Sequence, residues 1–154
     1  MTLPARAPRE SIAPALARGL TRHLLQRGLL ALPEVGLPNG RRADLMAFSR
    51  SGELWILEIK SSIEDFRADH KWRDYRPYCD RFFFASHDGV PMEIFPEEAG
   101  LFLADGFDAE MIRDCATPGA LHAATRKSLI LQLGWIAGQR WLGATDPEAL
   151  RPDR

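Results

Sequence analysis

From Ser11 onward apolar residues recur at helical spacing: Ala13, Leu16, Ala17, Leu20 and Leu24 share one face and predict an amphipathic helix to about Arg27. Ser11 suits its N-cap, Pro14 is tolerated in the first turn, and Gly28 can terminate it. The period then shortens. "LLALPEV" predicts a strand reaching Val35, Asn39-Gly40 supplies turn chemistry, and "RADLMAF" and "ELWILEI" predict two strands joined as a hairpin by "SRSG". Ser62 and Asp65 form a variant capping box for a helix predicted over Ile63–Tyr75, which Pro77 ends or bends. "RFFFAS" predicts a short buried strand, so residues 54–85 read as strand, helix, strand: a right-handed crossover with a parallel pair inside a mixed sheet.

Beyond this, "GVPMEIFPEEAG" is rich in turns, and "LFLAD" and "AEMIRDC" predict two short strands around "GFD". A last helix is predicted from about Ala120 to Leu142, with its stripe through Leu121, Ala124, Ser128, Leu131, Trp135 and Leu142. Leu129, Ile130, Leu133 and Ile136 fall outside that stripe, so the helix is apolar on more than one side. Wrapping by the N-terminal helix or a homodimer interface would each account for it. The pattern as a whole predicts an α/β domain, a mixed central sheet flanked by helices, over residues 10–142. Residues 1–9 and 143–154 are expected to be flexible termini.

Composition changes this picture little. The 154 residues carry a formal charge of −1, which argues against a domain that holds a phosphate backbone by bulk positive charge. Of the 20 basic residues only Lys60, Lys71 and Lys127 are lysine, so 17 are arginine, suited to bidentate phosphate contacts or to ordinary surface pairs. Cys79 and Cys115 offer no disulfide framework or zinc spacing. With no apolar run long enough to span a bilayer and no signal-peptide pattern, a cytoplasmic protein without membrane contact is expected.

The candidate chemistry sits at the end of "LWILEIKSS". Glu58 and Lys60, two apart on a strand, project to one face. An antiparallel hairpin brings the start of "RADLMAF" beside the end of this strand, so Asp44 can approach both. Two carboxylates and an ammonium in an apolar setting are costly to keep without a purpose. They could hold a hard cation such as Mg²⁺, with the Ile59 carbonyl as a further ligand and the lysine beside an activated water or a phosphate. Equally, Glu58 and Lys60 could pair with each other, and Asp44 with Arg41 or Arg42.

Asp44, then fourteen residues to Glu58, then Lys60, on a helix, strand, hairpin, helix, strand frame, resembles the PD-(D/E)XK nuclease superfamily with its restriction endonuclease-like fold. "RRADLMAF", "LWILEIKSS" and "DFRADHKWRDYRPYCDRFFFA" more narrowly resemble MmcB-like DNA repair proteins, over roughly residues 10–142. The resemblance implies Asp44 and Glu58 as metal-binding carboxylates, Lys60 as the catalytic lysine and Glu34 as an additional acidic ligand. Ala43 stands where the superfamily's name has proline. The function implied is DNA repair by Mg²⁺- or Mn²⁺-dependent hydrolysis of phosphodiester bonds in branched or damaged DNA, or else a catalytically inactive DNA-binding accessory delivered by a repair-protein partner. Lys71, Arg73 and Arg76 are candidates for phosphate contact, and Trp72 or Tyr75 for stacking on an unpaired base. Packing of Trp72 on the sheet is the competing expectation.

Overall fold

The structure, a computed structural model, describes residues 12–152; the expected Ser11 cap and the N-terminal arm lie outside them. Helix α1 (Ile12–Gln26) is followed by strands β1 (Leu29–Gly36), β2 (Arg42–Ser49) and β3 (Leu54–Ile59), helix α2 (Ile63–Ala68), a 3-10 helix (Trp72–Tyr78) and strand β4 (Arg81–Ser86). Strands β5 (Gly100–Ala104) and β6 (Ala109–Arg113) and the long helix α3 (Ala123–Thr145) complete the chain, with a closing 3-10 turn at Pro147–Leu150. The six strands form one sheet in chain order. β1, β2 and β3 meander antiparallel, β3, β4 and β5 run parallel, and β6 returns antiparallel. The expected crossover and mixed sheet are therefore present, and the architecture is that of the restriction endonuclease-like fold.

Both faces of the sheet are covered, which is why β3 reads as an unbroken apolar run: all six of its residues are buried. One face carries Trp55, Leu57, Phe83 and Phe102 under Leu16, Leu20 and Leu24 of α1. The other carries Met46, Ile56, Phe82 and Phe84 under the 3-10 helix and Leu129 and Leu133 of α3. Pro33 is accommodated in β1 because that strand is an edge of the sheet.

Two expectations are corrected. The helix after β3 stops at Ala68 instead of running to Tyr75, because Asp69 takes an extended backbone (φ −91°, ψ 109°) and its side chain accepts from the Lys71 N–H at 2.9 Å. A local side-chain bond of this kind competes with helical hydrogen bonding. In α3 the drawn stripe is the outer one. Leu131 and Trp135 face solvent, while Leu129 and Leu133, placed outside the stripe, are the buried pair. Helix α3 itself runs to Thr145, past the expected end near Leu142, and a 3-10 turn follows at Pro147–Leu150.

Candidate active site

The antiparallel ladder of β2 and β3 pairs Met46 with Ile56 and Leu45 with Leu57. One row further out Asp44 meets Glu58, and there side chains take over from the ladder. The Asp44 N–H donates to Glu58 Oε1 at 3.0 Å, and the Ile59 N–H donates to Asp44 Oδ2 at 2.8 Å. On the other side of β2, Pro33 pairs with Leu45 and Val35 with Ala43, so Glu34 falls in the same row. Three acidic residues from three adjacent strands thus stand in line across the sheet, the approach of Asp44 to Glu58 being one the hairpin allowed.

Lys60 completes the group. Its N–H donates to the Ala85 carbonyl on β4 at 2.8 Å, its carbonyl accepts from the Ser86 hydroxyl at 2.7 Å, and the neighbouring Ser61 carbonyl lies 2.8 Å from His87 Nε2. The end of β3 is therefore pinned by the end of β4. Backbone groups alternate between the two sides of a strand, so with Lys60 bonded to β4 the Ile59 carbonyl faces the β2 side, where its own N–H meets Asp44. Glu58 and Lys60 are the only charged side chains buried among the described residues.

The ammonium of Lys60 does not pair with Glu58. It lies 2.9 Å from Asp69 Oδ2, with both side chains largely shielded from water. Asp69 reaches it because α2 breaks at that residue, a partnership the sequence reading missed by running the helix on; the "ADHK" stretch carries no local signal for the break. Burial alone would raise the Asp69 carboxyl, but the Lys71 N–H and Lys60 together hold it below its ordinary value. Asp65, expected as a cap, performs that role: its N–H donates to Ser62 Oγ and its carboxylate accepts from the Ser61 N–H, both at 3.1 Å.

With Lys60 committed to Asp69, the two carboxylates are left facing each other. Burial, and then the charge of Asp44, push Glu58 up to about 8. Burial also raises Asp44, against the opposing pull of the Ile59 N–H and Lys60. A cleft of about 570 Å³ opens over Asp44, Glu58, Ile59 and Lys60, walled by Pro33 and Glu34 of β1 and by Ala13 and Ala17 of α1. A smaller recess on the far side of Glu58 and Lys60 is lined by Arg41, Asp69, Lys71 and Tyr75.

The remaining candidates divide. Glu34 borders the cleft, but its carboxylate lies 3.7 Å from Arg42 with both side chains exposed. Its backbone is left-handed (φ 54°), an uncommon conformation for a residue with a side chain, and its carbonyl accepts from Arg140 at 3.4 Å. Among the described residues no three His, Cys, Asp or Glu side chains stand together where they could hold a metal ion. Lys71 is exposed at the recess, Arg73 pairs with Glu98 at 3.2 Å, and Arg76 is half-buried away from both openings. Trp72 and Tyr75 are core residues stacked on Phe82, so neither presents a ring face to a base. The Tyr75 hydroxyl does reach the site: it donates to the Arg42 carbonyl at 3.1 Å, and burial and the nearby Glu58 charge keep it protonated.

A family model described as DNA repair protein MmcB-like matches residues 4–148. The chain belongs to the MmcB-like family. A protein of unknown function from Silicibacter pomeroyi, SPO1766, has a solved structure that is 40% identical to this chain and superposes with a TM-score of 0.84, covering 90% of this chain and 94% of its own. No curated protein matches. No helix among the described residues is long and apolar enough to cross a membrane.

The donor set fits a hard divalent cation at the Asp44–Glu58 row. Burial raises both carboxyls, the charge of Asp44 adds to the rise at Glu58, Lys60 offsets only part of it, and the Ile59 carbonyl is turned to the same side. Oxygen ligands with open positions for water are what Mg²⁺ and Mn²⁺ take.

Proposed function

We propose that the protein is a DNA endonuclease of repair that hydrolyses phosphodiester bonds with Mg²⁺ or Mn²⁺ held by Asp44, Glu58 and the Ile59 carbonyl, and with Glu34 at the rim. The observation that carries this reading is the pairing of half-buried Asp44 with buried Glu58, with Lys60 on the same cleft floor. When bound, such an ion supplies Lewis-acid stabilisation of phosphate charge and lowers the pKa of a water.

The chain's own residues supply the rest. Lys60, fixed at its backbone by Ala85 and Ser86 and at its ammonium by Asp69, is a preorganised donor toward a phosphate oxygen on which charge grows. Asp69 is a positioning residue, holding that ammonium in place at 2.9 Å. Attack of water on phosphorus forms one P–O bond as the bond to the 3′ oxygen breaks, leaving a 5′ phosphate. Lys71, exposed at the recess, would hold backbone phosphate without reading sequence, and Arg41 beside it would do so on release from Asp74, 3.2 Å away.

A second reading, a nuclease-fold accessory that binds DNA without cutting it, draws support from the ion pair occupying Lys60 and from the lack of a three-side-chain metal group among the described residues. Incubation with branched, flapped and linear DNA plus Mg²⁺ or Mn²⁺ separates the two. The enzyme reading expects products that disappear in Lys60→Ala and Asp44→Asn. No cleavage, together with salt-dependent DNA association unaffected by divalent ions, establishes the accessory instead.

A further inference from the structure

We infer that the outer face of α3 is the contact surface of a symmetric homodimer. Leu131, Trp135 and Trp141 are 65%, 71% and 69% exposed, and Leu142 lies beside them. Leu131, Trp135, Gly138 and Leu142 project to one side of the helix, opposite the buried Leu129 and Leu133. From Lys127 to Asp146 the only charged residue between is Arg140, and its guanidinium is turned away to the Glu34 carbonyl. An exposed helix face of this length without a charge is not a solvated surface.

Among the described residues only the closing turn, through Ala149 and Leu150, borders it. Wrapping by the N-terminal helix, one of the two explanations the sequence left open, fails because α1 packs on the opposite face of the sheet. The patch is also self-complementary. Two indole rings protrude next to a groove of about 500 Å³ whose floor is Gly134 and Gly138, and whose far wall includes Leu150. Side chains added at either glycine would meet no atom within 4 Å, so a second helix could approach the backbone closely. Under a twofold axis the same surface supplies knob and hollow, and an uncharged face meets its copy without like-charge repulsion. A nucleic acid, by contrast, would require cations there.

The area is sufficient. Aromatic side chains each bury roughly 150–250 Å². Two tryptophans with Leu131 and Leu142, partly covered already, therefore offer roughly 500 Å² per protomer, or about 1,000 Å² across two copies, the lower bound for a stable interface. The inference is independent of the catalytic reading.

Sedimentation velocity of the full chain, from low to high micromolar concentration, tests it. The expected species has twice the 17.3 kDa chain mass. Trp135→Glu and Leu142→Glu place a charge in the middle of the contact and are expected to give monomers throughout, with unchanged far-UV circular dichroism because both side chains are solvent-facing in the protomer. Should either fail to fold, Trp135→Ser removes apolar area without adding charge and is expected to weaken association at least tenfold. Phe107→Glu, 73% exposed on the β5–β6 turn, should leave the dimer intact. A monomeric wild type, a dimer that survives the Trp135 and Leu142 variants, or one broken equally by Phe107→Glu overturns the inference.

Discussion

Replacing Glu58 by Gln keeps shape and removes charge at the point where the site is most strained electrostatically. The Gln carbonyl can still accept from the Asp44 N–H, and its amide can donate to the Asp44 carboxylate. In the wild type, Glu58 moves from its ordinary 4.5 up to about 8 on folding. The sign follows from proton counting: between these values the folded chain retains a proton that the unfolded chain has released, so stability falls as pH rises through that window. At 1.36 kcal/mol per pKa unit, this one group costs the wild type about 4 kcal/mol between about pH 5 and about pH 9. Glu58→Gln does not titrate. Taking the difference between the two proteins cancels the ionisable groups remote from the site, leaving Glu58 and its partner Asp44. In metal-free thermal melts the Tm advantage of Glu58→Gln should therefore grow by roughly 8–16 °C across that pH span for a domain of this size. A difference that stays flat with pH, or one that shrinks as pH rises, refutes the argument that folding raises the Glu58 carboxyl.

Further outcomes follow from the contacts described above. At pH 8, Mg²⁺ or Mn²⁺ should raise the wild-type Tm in a concentration-dependent way, and Asp44→Asn should abolish the shift, as read by differential scanning fluorimetry. Asp69→Asn strips the counter-charge from a buried ammonium and should cost about 3–5 kcal/mol in urea unfolding, most of it recovered in the double variant with Lys60→Met. The depressed Asp69 carboxyl also means that this contribution is present above the ordinary Asp range and is lost as pH falls below it, which acid titration of wild type against Asp69→Asn would show. Trp72→Ala should cost about 3–5 kcal/mol through the cavity left against Phe82 and Phe84, an effect on stability rather than a selective loss of DNA affinity. Lys71→Ala should weaken DNA association similarly for all sequences and reduce the salt slope by about one, measured by fluorescence anisotropy at several salt concentrations.

The sequence by itself determined the sheet and the heart of the site. The short glycine-containing turn between "RADLMAF" and "LWILEI" sets the β2–β3 register, and register alone brings Asp44 opposite Glu58. The strand–helix–strand order likewise dictated the parallel pairing of β3 with β4. Tertiary structure decided what local pattern could not. The Lys60–Asp69 pair exists because a burial-driven ion pair and a single side-chain bond to Lys71 outweigh helix continuation, a balance invisible to residue spacing. Trp72 and Tyr75 could equally have faced a ligand or the core until Phe82 and Phe84 were seen beneath them. In α3 the sequence displayed two apolar faces of similar strength, and only the position of the sheet determines which one is buried. Periodicity reports that a face is apolar; what covers it depends on residues distant in the chain.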